Sequence, residues 1–430
     1  MEAKNSVKPN DSKPASRNIA ELIKSGNLPQ AEILLRIFLK KEPHNPEAYY
    51  LLGKIAAEVD LMQFALQYFN EAIKFAPEWK LPQISRDQII GKVPDSVTPA
   101  YSNLPDNGTQ PSEKFLLIKA WGQGLWSDVS HVLGQLLLAE ITGRIPVVHW
   151  GENSLYGDGS TTDAFKSFFK PVSDVGVSDL QQADYDFWPP KWNQSNLQKS
   201  EINKFAGPYS RIAGLYLLGR QEKVIVSDFF TSVSDLVPWI PPQHHLYGLS
   251  IDELWLYLVR QYLHPVDEIL NAVNGFYSDS LDSSDFIAVH ARGSDKNKEV
   301  TNLYEMNSAY KNAIDRYLSL CDCNKIFLMT DDTHLLDYFR EIYGDMIVTT
   351  DCHRTSESTG LHHLGISDRR QLGIEVIVDV FLAARGKAFV GNGFSNPSRF
   401  VRYLKNWPED RVTLIGQNRF HMPNLFLHDR

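Results

Sequence analysis

Residues 285–299, DFIAVHARGSDKNKE, join an apolar run to a dense group of ionisable side chains. The run DFIAVH has the length and composition of a buried strand that ends at His290. The loop after it contains Arg292, Asp295, Lys296 and Glu299. Side chains in a loop at the carboxyl end of a strand can reach a ligand while staying near water. We therefore expect a functional loop here, although such loops are sometimes only polar.

The same alternation of short apolar runs and helical patterns extends on both sides of this loop. The downstream runs KIFLMT, MIVTT, KAFVG and RVTLIG are typical of strands, as are FLLIKA and IPVVHW upstream. Two blocks of alternating strands and helices predict two α/β units with mostly parallel sheets, over residues 113–280 and 281–430. Ligands of such units bind at the carboxyl ends of the strands, in the crevice between the units.

The first 80 residues contain an internal repeat. Ala31 and Pro43 recur as Ala65 and Pro77, a spacing that matches the ~34 residues of a tetratricopeptide repeat. We predict tetratricopeptide-like helical repeats over residues 17–80, with an unrelated helical bundle as the alternative. Such repeats need ~3 or more units to bury a continuous core, so this module should pack on the downstream domain, a protein partner or a second copy.

Residues 81–112 are rich in Pro, Ser, Asn and Asp. This composition disfavours packed secondary structure and predicts a linker.

Bulk composition excludes several classes of protein. The 430-residue chain has a formal net charge of -9, which disfavours a general electrostatic attraction to nucleic acid. The polar N-terminus lacks the apolar segment of a signal peptide, and no run reaches the ~18 apolar residues of a membrane span. With three cysteines, a disulfide framework is not expected. These features predict a cytoplasmic protein without a membrane span.

Further candidate residues follow other predicted strands. Asp331 and Asp332 come directly after KIFLMT, where carboxylates bind a metal, orient a sugar hydroxyl or cap the next helix. The segment AFVGNGFSNPSRF contains Phe394 and Ser395 in a Gly-rich turn before a helix, where backbone amides can bind phosphate. A plain turn with Ser395 near a helix cap is the alternative.

Two more positions depend on their surroundings. Asp379 lies within the apolar run EVIVDVFLAA, and a buried carboxylate there requires hydrogen-bond donors such as those of a purine ring or an arginine. If Asp379 faces solvent, it needs no such explanation. Gly122 and Gly124 follow the first strand as WGQG, but the third glycine of a dinucleotide-binding fingerprint is absent.

Several segments together resemble a known family of glycosyltransferases. Residues 290–296, 329–332 and 359–362 resemble the motifs HVRRTDK, ATDD and AGLH of the α1,6-fucosyltransferase and nodulation-fucosyltransferase group. Residues 378–382 and 394–397 resemble LDIHFL and FSSQ, and upstream residues 122–124 and 169–174 resemble GYG and FRPVSE. The blocks occur in the order of the family, between about residues 114 and 405.

The resemblance implies a GT-B-like fold, with two Rossmann-like domains and a catalytic cleft between them. Residues 113–280 would form the acceptor-side domain, and residues 281–430 the domain that binds a GDP-sugar. The implied activity is transfer of fucose from GDP-fucose to a glycan or other hydroxyl acceptor, with inversion and without a metal or cofactor.

The resemblance also implies residue roles. His290 and Asp379 would contact guanine, and Arg292 would bind the β-phosphate of the leaving group, assisted by Ser395 and the Gly122/Gly124 loop. Asp331 and Asp332 would orient the donor or neighbouring loops. Asp295, Lys296 and Phe394 belong to the matched donor-binding motifs.

Two departures from the family pattern limit these roles. Gly293 stands where the family has a second arginine, so one contact is missing or supplied elsewhere. The acidic residue after the motif is displaced by one position, which makes Glu299 only a candidate general base. Transfer from another GDP-sugar such as GDP-mannose, and a non-catalytic adaptor with repeats, remain as alternatives.

Overall fold

A set of N-terminal helices precedes two parallel β-sheets, each of which is covered by helices. The computed structural model describes residues 13–24, 28–58, 62–90, 113–151, 154–157, 163–188, 192–199, 220–227, 231–237, 240–281, 285–293, 307–357, 360–361 and 368–416. Among the described helices, none combines the length and the apolar character that crossing a bilayer requires.

The N-terminal helices are α1 (Lys13–Lys24), α2 (Leu28–Lys41), α3 (Pro46–Glu58), α4 (Met62–Phe75) and α5 (Lys80–Ile90). Helices α3 and α4 pack closely because Gly53 has no side chain: a Cβ there would lie 2.5 Å from the Phe69 ring. Leu52, Ala65 and Phe69 are buried between the helices. That these helices are tetratricopeptide repeats stays a prediction.

Helix α5 corrects the prediction of a linker over residues 81–112. Residues 81–90 are helical, and residues 91–112 lie outside the described residues. Pro82 is tolerated because it lies in the first turn, where its missing N–H would have no partner within the helix. Leu81 and Ile84 each expose about half of their side-chain surface, whereas Ile89 is buried. The Pro and Ser residues of the segment favoured the prediction of a linker over that of a short amphipathic helix.

The first sheet has the strand order β2-β1-β4-β3, with all pairs parallel. Its strands are β1 (Phe115–Lys119), β2 (Ile145–His149), β3 (Phe187–Trp188) and β4 (Val224–Ser227). The sequence predicted β1 and β2 but missed β3 and β4. Strand β4 is nevertheless central to the sheet, since it pairs with both β1 and β3.

The second sheet has the order β7-β6-β5-β8-β9 and is also parallel. Its strands are β5 (Phe286–His290), β6 (Lys325–Met329), β7 (Ile347–Val348), β8 (Phe389–Asn392) and β9 (Val412–Ile415). All five were predicted from the apolar runs. The two parallel sheets confirm the α/β class.

Helices accompany both sheets. They are α6 (Leu125–Thr142), α7 (Ile251–Tyr262), α8 (Asp267–Phe276), α9 (Asn307–Cys321), α10 (Thr333–Tyr343), α11 (Arg369–Ala383) and α12 (Asn396–Leu404). The sequence predicted one helical segment where α7 and α8 are separate. The chain breaks at Pro265, since proline removes a helical N–H and disfavours helical backbone before it.

One hydrophobic core connects the two halves. Leu116 and Ile118 of the first sheet belong to the same buried cluster as Phe286 and Ala288 of the second. At the junction, the Trp126 ring of α6 lies 4.3 Å from the Phe400 ring of α12, measured between centroids. Helix α6 therefore begins beside the N-terminal half of α12.

Candidate active site

Polar side chains gather at the carboxyl ends of β5, β6 and β8, three adjacent strands of the second sheet. His290 ends β5, Asp331 follows β6 by two residues, and Ser395 follows β8 by three. Because the strands are parallel, these segments meet at one edge of the sheet, which is where α/β folds bind ligands. The structure therefore brings together three sets of residues that the sequence singled out separately.

Arg292 and Asp331 form an ion pair across this edge. The Arg292 Nη1 donates to Asp331 Oδ2, and the Gly293 amide donates to Asp331 Oδ1 at 3.2 Å. The two side chains are 19% and 12% exposed, so the pair is poorly solvated. A carboxylate that bonds both the guanidinium and the adjacent backbone restrains the direction of the arginine. Asp331 thus positions Arg292 at the edge of the sheet.

His290 is buried and neutral. Its pKa lies well below the ordinary value, first because of burial and then because of the charge of Arg292. The His290 Nδ1 lies 2.7 Å from Ser398 Oγ, and Ser398 Oγ also accepts from the Asn392 amide at 2.8 Å. Among the described contacts of this hydroxyl, Nδ1 is the acceptor available for its single proton, so the serine donates to Nδ1. The ring proton is therefore on Nε2, where it can be donated to a carbonyl or ring nitrogen of a ligand.

Asp332 has a structural role. Its Oδ1 accepts from the backbone amides of His334 and Leu335 at 2.8 and 3.3 Å, which makes it the N-cap of α10. The residue is 2% exposed. The helix cap is one of the three functions considered for this carboxylate, and the structure shows that Asp332 performs it. That Asp332 also orients the donor stays a prediction.

The turn between β8 and α12 brings the start of a helix to the same edge. Ser395 is the N-cap residue of α12, but its side chain makes no capping hydrogen bond. The residue is buried, and Asn392 Oδ1 holds the turn by accepting from the Phe394 amide at 2.9 Å. Backbone amides at the start of a helix attract anions. Ser395 and the first turn of α12 therefore suit a phosphate group.

Asp379 lies on α11 beside the segment that follows β7. Its Oδ1 accepts from the Thr350 hydroxyl at 2.6 Å, and the Cys352 thiol lies 3.8 Å from its Oδ2. Burial raises the pKa of Asp379 to about 6, despite these bonds and the nearby Arg354. The residue is 6% exposed. The structure thus provides Asp379 with protein donors, so burial alone does not require a ligand there.

The Gly122/Gly124 loop leads into α6, but its amides are already engaged. The Gly122 and Gln123 amides donate to the two carboxylate oxygens of Asp128 at 3.2 and 3.0 Å. The carboxylate of Asp128 thus occupies the Gly122 and Gln123 amides and disfavours an anion beside them. That Gly124 assists in binding phosphate stays a prediction. Gly122 has a φ of 82°, a conformation that favours glycine. The two glycines shape the turn around Asp128.

Three predicted site residues, Asp295, Lys296 and Glu299, lie outside the described residues.

The sequence missed a second polar edge, at the carboxyl ends of β1, β2 and β4. These strands end at Lys119, His149 and Ser227, all of which are buried. Lys119 and His149 are direct neighbours in register. Burial and the charge of Lys119 lower the pKa of His149 to about 4, so its ring is neutral. The polar residue that terminates each apolar run was the available sequence signal.

This second edge contains unsatisfied polar atoms. Within the described part of the chain, Ser227 Oγ is buried and has no hydrogen-bond partner, and His149 Nε2 is buried without a hydrogen bond of normal geometry, although the ring interacts with the Gln198 backbone. Lys119 donates to the Leu197 carbonyl at 2.5 Å and lies 5.3 Å from the Trp192 ring centroid. Buried polar atoms normally have partners, so this edge is suited to a polar ligand or ordered water.

No family model and no curated protein matches the sequence. Similar solved structures include the fucosyltransferase NodZ from Bradyrhizobium, with 19% identity over 67% of this chain and 93% of that chain and a TM-score of 0.43. POFUT1 in complex with GDP has 14% identity over 72% of this chain and 100% of that chain, with a TM-score of 0.43. A mutant of Arabidopsis thaliana FUT1 in complex with GDP has 12% identity over 74% and 77%, with a TM-score of 0.41. Similarity at this level does not determine an activity for this chain.

Proposed function

We propose that this protein is a glycosyltransferase of GT-B architecture that transfers fucose from GDP-fucose to a hydroxyl group of a glycan or another acceptor. The observation that carries the proposal is the ion pair of Arg292 and Asp331, at a sheet edge that also presents a neutral histidine and the start of α12. The family motifs noted in the sequence support the choice of GDP and fucose.

The diphosphate leaving group explains the need for Arg292. When the acceptor oxygen attacks the anomeric carbon, the bond from that carbon to the β-phosphate oxygen breaks and its electron pair stays on the phosphate. A guanidinium that is already oriented stabilises this developing charge, and the helix start at Ser395 adds to the effect. These groups provide charge stabilisation that does not depend on a metal ion. The acceptor proton passes to a general base, for which Glu299 remains the candidate.

The nucleoside contacts follow from the remaining groups. The Nε2–H of His290 is a donor suited to the acceptor atoms of a guanine edge, and the carboxylate of Asp379 is an acceptor suited to the guanine N–H groups. The polar edge at Lys119, His149 and Ser227 belongs to the acceptor-side half. We assign the acceptor to this edge, because it holds polar groups that the donor does not need. The N-terminal helices would bind a protein partner or a second copy.

A nucleotide-binding experiment tests this function. Thermal-shift and calorimetric titrations with GDP, UDP and ADP should show selective binding of GDP by the full chain. GDP-fucose should be consumed faster than GDP-mannose. Arg292→Ala should reduce turnover about 100- to 1000-fold, while Arg340→Ala, which removes an exposed arginine of α10, should not.

The outcomes separate the alternatives. If the protein prefers GDP-mannose, the transferred sugar is mannose, and the proposed roles of the site residues do not change. A folded protein that binds none of the nucleotides would refute the proposed enzymatic function and favour the non-catalytic adaptor. Normal turnover by a folded Arg292→Ala variant would refute the role of Arg292.

A further inference from the structure

Three metal-ligating residues meet on the first half of the protein, away from the strand ends described above. Glu140 lies near the end of α6, and His244 and His245 precede α7. One ligand atom of each residue lies within 4.8 Å of the others. The site would therefore connect α6 to the segment that leads into α7.

Two tyrosines of α7 hold the Glu140 carboxylate in place. The hydroxyl of Tyr257 donates to Glu140 Oε1 at 2.8 Å, and the hydroxyl of Tyr262 donates to the same oxygen. Each phenol uses its single proton in this hydrogen bond. Because they share Oε1, the second oxygen is left for another ligand.

His245 contacts one of the tyrosines that bind this carboxylate. Its Nε2 lies 3.3 Å from the Tyr257 hydroxyl. Since that hydroxyl already donates to Glu140, it accepts from the Nε2–H of His245; a metal ion bound at Nε2 would take the place of this proton, which Nδ1 would then carry. His245 is exposed, so a metal ion from solvent can reach it.

His244 stacks on His245, with ring centroids 4.5 Å apart. The His244 ring is half-buried. It accepts from the Leu246 amide at 3.2 Å and contacts the Glu140 carbonyl at 3.3 Å. Both contacts are long for hydrogen bonds and involve neutral groups, so a metal–nitrogen bond can replace one of them at modest cost.

We propose that Glu140, His244 and His245 bind one divalent transition-metal ion, with Zn²⁺ as the preferred species. Two imidazoles and a carboxylate form a ligand set that suits zinc, and water would complete the coordination. Tyr257 and Tyr262 orient the carboxylate from outside the coordination sphere, as outer residues of metal sites commonly do. The ion would fasten the 240–250 segment to α6 and stabilise the fold, independently of sugar transfer.

Zinc titration of the chelator-treated full chain tests the proposal. Calorimetry should show one Zn²⁺ bound per chain, and Co²⁺ should give a visible absorption band from a site of low coordination number. Both signals should be lost in His245→Ala and in Glu140→Gln, which keeps an oxygen for the tyrosines. Tyr262→Phe should weaken zinc binding about 10-fold, because it loosens the carboxylate without removing a ligand. Zinc should also raise the Tm of the wild-type chain.

His44→Ala provides the matched control, since it removes an exposed histidine of the turn between α2 and α3 and should leave zinc binding unchanged. Circular dichroism of each metal-free variant establishes that it is folded. Zinc binding that persists in both His245→Ala and Glu140→Gln would overturn the proposal, as would the absence of stoichiometric binding by the wild-type chain. Neither result affects GDP binding, which is measured separately.

Discussion

The Asp332 side chain occupies the space that a side chain at Gly293 would need. A Cβ at position 293 would lie 2.2 Å from Asp332 Oδ2 and 2.5 Å from Asp332 Cβ. The buried Asp332 cannot move away without leaving the N-terminus of α10. Gly293→Ala should therefore lower the free energy of unfolding by about 1–3 kcal/mol, as overpacking does. Urea unfolding measures this change.

The control for this prediction is another glycine. Gly275 lies within α8, and a Cβ there would meet nothing within 4 Å. Gly275→Ala should therefore stabilise the protein by about 0.5–1 kcal/mol. In the double variant Gly293→Ala/Asp332→Ala, the loss in the free energy of unfolding should be smaller than the sum of the two single losses, because alanine at position 332 leaves room for the new methyl group at position 293. Equal stability of Gly293→Ala and the wild type would contradict the steric explanation.

Burial at Asp379 should make stability depend on pH. Burial raises the pKa of Asp379 to about 6 from an ordinary value of 3.8, so between these values the folded protein binds a proton that the unfolded chain releases. The free energy of unfolding should therefore decrease as the pH rises through this window, by about 3 kcal/mol in total. Urea unfolding between pH 4 and pH 7 should show this slope in the wild type and a weaker one in Asp379→Asn.

GDP binding provides a second readout of Asp379. In the proposed function, guanine N–H groups would bond the ionised carboxylate, so GDP affinity should increase as the pH rises through about 6, and Asp379→Asn should abolish this increase. Asp351→Asn removes an exposed carboxylate of the segment after β7 and should retain the wild-type profile. A pH-independent GDP affinity in the wild type would remove Asp379 from the guanine site.

Much of the second sheet could be predicted because each of its strands lies in a short, mainly apolar run between helical patterns. Strand β4 was missed because its run lies in an aromatic, Pro-rich stretch without such a pattern. Positions at strand ends, such as Arg292 and Asp331, follow from the parallel topology. The roles of the carboxylates do not follow from the topology. The sequence around Asp332 is the same whether its side chain caps a helix or binds a ligand. Asp128, in the first turn of α6, accepts hydrogen bonds from the Gly122 and Gln123 amides. No local sequence pattern predicts this contact.

Ser398 should control both stability and nucleotide affinity. Its hydroxyl bonds His290 Nδ1 and the Asn392 amide, and the residue is fully buried. Ser398→Ala would leave the Asn392 N–H unsatisfied and lower the free energy of unfolding by about 1–3 kcal/mol. It would also release the His290 ring from its fixed tautomer, so GDP affinity should fall.

Ser130→Ala is the control for Ser398. The Ser130 hydroxyl is buried too, but it bonds only the Trp126 carbonyl within α6. Its removal should leave GDP affinity unchanged. If calorimetry shows wild-type GDP affinity for a folded Ser398→Ala, the tautomer of His290 does not contribute to nucleotide binding.

Lys119 should affect the acceptor and not the donor. Its buried ammonium lies at the carboxyl edge of the first sheet, in register with His149. Lys119→Met keeps the length of the side chain and removes the charge. A hydrogen bond to a charged group contributes about 1.5–3 kcal/mol, so the KM for an oligosaccharide acceptor found by screening should rise about 10- to 100-fold. GDP affinity and the slow hydrolysis of GDP-fucose by water should be unchanged.

Lys114→Met tests whether the rise in the KM for the acceptor is specific to the carboxyl edge of the first sheet. Lys114 directly precedes β1, at the opposite end of the strand from Lys119, and donates to Gln221 at 2.8 Å. Because ligands bind parallel sheets at the carboxyl ends of the strands, its removal should change neither the KM for the acceptor nor GDP affinity. If Lys119→Met is folded and transfers fucose with the wild-type KM, the acceptor binds elsewhere. If Lys119→Met instead lowers the affinity for GDP, the first sheet contributes to the donor site.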